Sequence, residues 1–97
     1  MLIFQVIDMY KLKNGFMIRE IGNQIMAVPV GKQTSEIHGM IALSESAKLL
    51  WEVLQNGATA DELVDVLMEN YEVERSVATE DVERFIELLS SQGALEL

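Results

Sequence analysis

The sequence predicts an α+β domain, with a small three-stranded antiparallel sheet followed by a three-helix bundle. Three observations carry that prediction. The first forty-odd residues hold short runs of β-forming residues divided by turn residues. From Ser44 onward, apolar residues recur at helical spacing behind capping residues. The two regimes meet at residues 40–54, MIALSESAKLLWEVL, where an apolar run passes straight into an amphipathic stretch holding the only tryptophan. At 97 residues the chain makes one domain with one core.

Residues 2–7 are rich in β-formers and read as an extra strand, an edge or an arm, so residues 1–12 are set apart as an N-terminal extension or extra strand ahead of a domain over 13–97. KLKNG at 11–15 reads as a polar turn. Phe16–Ile21 is strand-like, Gly22-Asn23 is a two-residue connection suited to a tight hairpin, and residues 24–30 return as the second strand. Pro29 falls near its end, where a missing amide does least harm. GKQTSE at 31–36 is a polar loop. It lacks the spaced second glycine and the Gly-Lys-Ser/Thr ending of a phosphate loop. Residues 37–43 form the third strand, with Gly39 as a bulge or close-approach point.

Ser44 caps the first helix, Glu45 complements its dipole, and Ala47, Leu50, Trp51 and Leu54 make its apolar face. The helix stops at Gln55-Asn56-Gly57. Thr59-x-x-Glu62 is a capping box opening a second helix with the face Leu63, Val66, Leu67 and Tyr71. A third helix runs from Glu74 to about Gln92 before Gly93, with Val82, Phe85, Ile86 and Leu89 inward, extended backwards by Val77 or Ala78. The tail from Ala94 on is apolar and suited to pairing or packing.

Composition excludes several functions. There is no cysteine, hence no disulfide, thiolate metal site or cysteine nucleophile. A single histidine, His38, excludes sites built on several imidazoles. The N-terminal stretch lacks a basic leading segment and is no secretory signal, and no run reaches the roughly 18 apolar residues of a membrane span, so the expectation is a cytoplasmic protein without membrane partners. Charge is divided unevenly. Residues 1–43 carry four bases and three acids, whereas residues 44–97 carry three bases and thirteen acids, a net of −10 within a total of −9. A helical half so acidic repels a phosphate backbone and argues against nucleic acid.

Enzymatic constellations are scarce. His38 and Glu36 stand two apart on an expected strand with no nucleophile nearby. Ser44 and Ser46 are accounted for by capping, and Asp61-Glu62 and Glu80-Asp81 by helix dipoles. No catalytic set, metal site or cofactor is expected. Two features suit a binding surface instead. Leu88 lies off the main stripe of the third helix and, with Asp81, Arg84 and Phe85, makes a second face. The third strand leaves an open edge, to which an extended peptide can add by backbone hydrogen bonds.

The order and spacing of these elements resemble the PqqD-like family. The residues that carry the resemblance are Leu43-Ser44-Glu45, Leu50-Trp51, Thr59 to Leu63, Tyr71-Glu72-Val73, the run Asp81-Val82-Glu83-Arg84-Phe85-Ile86-Glu87-Leu88-Leu89, and Gly93-Ala94-Leu95. Members often have asparagine at the position of Ser44, and both residues cap helices. The resemblance implies a winged-helix-like, non-catalytic domain, a recognition element for precursor peptides of ribosomally made, modified products. It implies that the leader docks as an added strand along Gly39, Met40, Ile41, Ala42 and Leu43, against Asp81, Arg84, Phe85, Leu88 and Gln92. It also implies presentation to a modifying enzyme, commonly a radical S-adenosylmethionine enzyme, by a monomer or homodimer. Two other readings compete. One is a structural or oligomerising subunit of an enzyme complex that assembles through its N-terminal strand or open edge. The other is a winged-helix DNA regulator, disfavoured because residues 74–92 hold five acids and two bases.

Overall fold

The computed structural model describes residues 9–31 and 39–96. In chain order these form β1 (Met9–Tyr10), β2 (Phe16–Ile21), β3 (Gln24–Pro29), β4 (Ile41–Leu43), α1 (Glu45–Leu54), β5 (Ala58–Thr59), α2 (Ala60–Asn70) and α3 (Arg75–Ser91). β2, β3 and β4 make the expected antiparallel sheet in that spatial order, and the three helices follow it. No described helix is long and apolar enough to cross a membrane.

The hairpin joining β2 and β3 turns at Gly22, whose φ of +63° is followed by a residue without positive φ, the pattern of a type II′ turn. Its twist matches that of the strands it joins. Because side chains alternate along a strand, the register sorts them into two faces. Ile18 opposite Ala27, Ala27 opposite Ile41 and Ile25 opposite Leu43 lie inward, while Met17, Arg19 and Ile21 are exposed on the outer face.

Sequence-coded caps hold the helices. The Ser44 hydroxyl accepts the Ala47 amide at 3.1 Å. At α2 the capping box is complete, since Thr59 Oγ1 accepts the Glu62 amide at 3.1 Å and Glu62 Oε1 accepts the Thr59 amide at 2.8 Å. α3 ends in a Schellman arrangement: the Ala94 amide donates to the Leu89 carbonyl at 2.9 Å and the Gly93 amide to that of Ser90 at 3.1 Å. That reversal turns Ala94 and Leu95 back into the core.

The core is apolar; no polar or charged residue is buried among the described residues. Leu50, Trp51 and Leu54 of α1 meet Leu63, Val64 and Leu67 of α2 and Ala78, Val82, Phe85 and Leu89 of α3. Trp51 is fully buried and receives Phe16 edge-on, with ring centroids 5.1 Å apart and planes at 83°. An edge-to-face pair of this kind adds about 0.5–1.5 kcal/mol beyond its area. It joins the hairpin to the bundle.

Several expectations change. Val64, not Tyr71, completes the inner face of α2: Tyr71 lies past the helix end in extended conformation, 40% exposed, while α2 packs against both other helices and buries a wider stripe. At the start of α3 it is Ala78 that turns inward, with Val77 exposed. Residues 11–15 are not simply a polar turn. Leu12 is buried, bridges Leu95, and donates its amide to the Leu54 carbonyl at 3.1 Å. Beside it, the Lys13 amide donates to Ala94 at 2.8 Å and the Glu96 amide to Lys11 at 2.8 Å. β1 pairs antiparallel with β5, Met9 opposite Thr59 and Tyr10 opposite Ala58, forming a second, two-stranded sheet. The C-terminal tail thus pairs and packs as its composition suggested. The strand expected at residues 2–7, the loop at 32–36, and the part of the third strand at 37–38 lie outside the described residues.

Leu12→Ala is expected to lower unfolding free energy by about 2–4 kcal/mol in urea denaturation, the range for deleting a buried leucine side chain. Val77→Ala, at an exposed site, should change it by less than about 0.5 kcal/mol. Thr59→Ala removes one arm of the capping box and should cost about 1 kcal/mol, read in the same titration.

Candidate peptide-binding edge and cleft

Among the described residues β4 has one neighbour in the sheet, so its other edge carries backbone groups without ladder partners among them. Hydrogen-bond parity identifies which groups these are. In a two-residue hairpin the closing pair, here Ile21 and Gln24, exchanges both backbone bonds, and alternation continues from there. The Val30 amide donates to the Gly15 carbonyl at 2.7 Å, which fixes the even-numbered residues of β3 as the ones facing β2. Ile25 and Ala27 therefore bond toward β4, onto Leu43 and Ile41. Ala42, opposite Met26, is left with its N–H and C=O directed to the free edge. Met40 holds the next position of the same parity and is 57% exposed.

Gly39 lies ahead of β4 rather than inside it. A Cβ there would meet nothing within 4 Å, so close backbone approach does not explain this glycine; its φ of +129° does. Ile41 and Leu43 are buried beneath the sheet. The strand therefore anchors through its odd residues and offers its even ones.

Where β4 runs into α1, a cleft of about 270 Å³ opens toward α3. Ala47 and Leu50 of α1, Leu67 of α2 and Phe85 of α3 line its apolar part. Ser44, Ser46 and Asp81 supply the polar part. Asp81 Oδ1 accepts from Arg84 Nη2 at 2.7 Å one turn along the helix, an exposed pair worth under about 1 kcal/mol that a ligand can readily exchange. Leu88 continues the flank, 39% exposed, and Gln92 caps the end of α3 half-buried.

Of the residues named from sequence, Asp81 and Phe85 come together around the cleft, and Arg84 joins them through Asp81. Met40 and Ala42 lie along the adjoining strand edge. Gly39 sets the chain's entry to β4, and Ile41 and Leu43 serve the core. Leu88 and Gln92 lie farther along α3 and do not line the cleft. Sequence reasoning assigned Ser44 and Ser46 to capping alone. Ser44 does cap, with its Oγ 3.1 Å from that of Ser46, and both also form the cleft wall. Leu50 and Leu67 gave only a core signal, since nothing in their spacing marks the point where core becomes cleft. His38 and Glu36 lie outside the described residues, and among the described residues no cluster of potential metal ligands occurs.

Two solved structures share this fold. TbiB1, in complex with the TbiA(beta) leader peptide, aligns over 89% of this chain and 94% of its own at 22% identity, with a TM-score of 0.69. Lasso peptide synthetase B1, complexed with the leader peptide, aligns over 91% of this chain and 98% of its own at 19% identity, with a TM-score of 0.68. Among curated proteins no significant match was found. The family described as coenzyme PQQ synthesis protein D (PqqD) matches residues 18–95, and the chain belongs to that family.

Proposed function

We propose that this chain is a non-catalytic peptide-binding module that docks the leader of a ribosomally synthesised precursor peptide as an added strand and presents it to a modifying enzyme. The observation that carries this reading is the juxtaposition of a strand edge at Ala42, unpaired among the described residues, with a cleft between α1 and α3. Membership of the PqqD family supports it, as does the fold shared with two proteins solved with leader peptides.

The mechanism is backbone pairing plus side-chain anchoring. An incoming strand exchanges hydrogen bonds with Ala42 and extends past Met40, each bond contributing about 0.5–1.5 kcal/mol net. One apolar side chain entering the cleft against Leu50, Leu67 and Phe85 contributes about 1.5–3 kcal/mol. Ordering a disordered leader offsets about 2–5 kcal/mol of the total. Anchors therefore decide affinity, and the edge decides alignment. Asp81 at the rim, within an acidic helical half, favours leaders with basic residues beside the anchor. The modifying enzyme we place here is a radical S-adenosylmethionine enzyme, and the setting is the cytoplasm. Gly39, Met40, Ala42, Asp81, Arg84, Phe85, Leu88 and Gln92 form the proposed contact set, with Ile41 and Leu43 as its buried support.

NMR titration of the full chain with leader peptides encoded beside it tests the reading. Shifts are expected to concentrate on residues 39–43 and along Asp81 to Leu88; a leader that perturbs neither region would sink the proposal. Ala42→Pro removes an N–H that faces the free edge and spares the bonds to β3. Binding should fall at least about tenfold with the circular dichroism spectrum preserved, and undiminished binding by the folded variant would exclude strand addition here. Leu88→Ser should weaken binding severalfold without loss of stability. Raising salt from low to physiological strength should slow association more than it speeds dissociation.

A further inference from the structure

A second cleft, of about 520 Å³, lies on the other flank of α3. At about 100° per residue, Glu83, Ile86 and Glu87 fall on one side of the buried row Ala78, Val82, Phe85 and Leu89. Asp81, Leu88 and Gln92 fall on the other. Neither cleft shares a lining residue with the other, so both can be filled at once. The floor of the second cleft is apolar: Val82 is buried, and Ile86, Tyr10 and Ala60 are half-buried. Glu83 and Glu87, one turn apart, stand exposed at its rim. Neither carboxylate has an ion pair among the described residues, the Tyr10 hydroxyl has no hydrogen bond among them, and no base lines the cleft.

We infer that this cleft receives a basic, amphipathic segment of the enzyme that modifies the bound peptide. The chemistry commits the occupant. Two unpaired carboxylates call for arginine or lysine, the phenol supplies a polar group and a ring face for a guanidinium, and the floor calls for aliphatic side chains. A leader is the poorer candidate, because its docking is already assigned to β4, and β1, which borders this cleft, has only two described strand residues, both paired with β5. Assigning the segment to the enzyme rests on the proposed function; the preference for a basic amphipathic segment does not.

The test uses the full chain, isotopically labelled, and a short synthetic peptide alternating arginine and leucine as probe. Expected shifts centre on Ala60, Val82 and Ile86. The double variant Glu83→Gln, Glu87→Gln should weaken the probe at least about tenfold, Glu52→Gln, at an exposed acid of α1 that lines neither cleft, should change it less than about twofold, and replacing the leucines by serine should weaken it about tenfold. Shifts spread evenly over the acidic helices, or a probe indifferent to the double variant or to loss of its leucines, would overturn the assignment of chemistry. The purified enzyme encoded beside this chain is then titrated against wild type and double variant. A loss of about tenfold supports the assignment of partner, and equal affinity overturns it. Leader-induced shifts at Ala42 are recorded on the same samples, so a failure of the peptide-docking reading is seen separately.

Discussion

The edge-to-face contact of Phe16 on Trp51 is the joint on which this molecule depends. A small sheet with one apolar face needs that face covered, and Ala27, Ile41 and Leu43 share one core with the helices while the aromatic pair ties in the hairpin's first strand. Trp51 is buried at the middle of α1, and α1 starts one residue after β4 ends. Fixing the indole therefore fixes both ends of the system: the hairpin through Phe16, and β4 through the short link at Ser44. The free edge holds its place because a side chain seven residues downstream of Ser44 is wedged in the core. Leu50, adjacent to that tryptophan, forms part of the cleft wall, so the proposed binding surface and the hydrophobic anchor belong to one helical turn.

α3 distributes roles around its circumference. One row is committed to the core, and the flanks beside it differ in chemistry. Toward β4 the flank carries an acid already paired with Arg84, a half-exposed leucine and a buried phenylalanine. Away from β4 it carries acids without ion pairs among the described residues, over an apolar floor. The described core holds no polar group, so the polar members of the proposed contact set lie outside it. Leu50, Leu67 and Phe85 belong to both core and cleft, buried like core residues yet forming the cleft wall, so Leu88 is the better position at which to test the proposed binding without disturbing the fold.

How much of this was legible in the sequence follows from the range of each interaction. Caps and turns are local: Ser44, the Thr59–Glu62 box and Gly22-Asn23 announce themselves within four residues, and the structure contains each of them. The main apolar faces were legible from helical periodicity, failing only where a helix ends sooner than its pattern, as at Tyr71, or packs on two sides, as at Val64. β1 and β5 were not legible, because two-residue strands carry no period, and Leu12 looked like part of a turn because its partner is Leu95. Of the proposed site, the strand edge and the flank of α3 were visible as spare surface. The cleft between them required knowing how α1, α2 and α3 pack.

The pairing of Leu12 with Leu95 brings together, as antiparallel neighbours, two stretches more than eighty positions apart in sequence. Lys11 and Glu96 are joined directly, the Glu96 amide donating to the Lys11 carbonyl. A contact between stretches so distant in sequence carries a loop-closure cost that the local caps and turns do not. Severing the backbone anywhere between Leu12 and Leu95 would leave this closure to be made between two fragments, so it is the contact most sensitive to a nick.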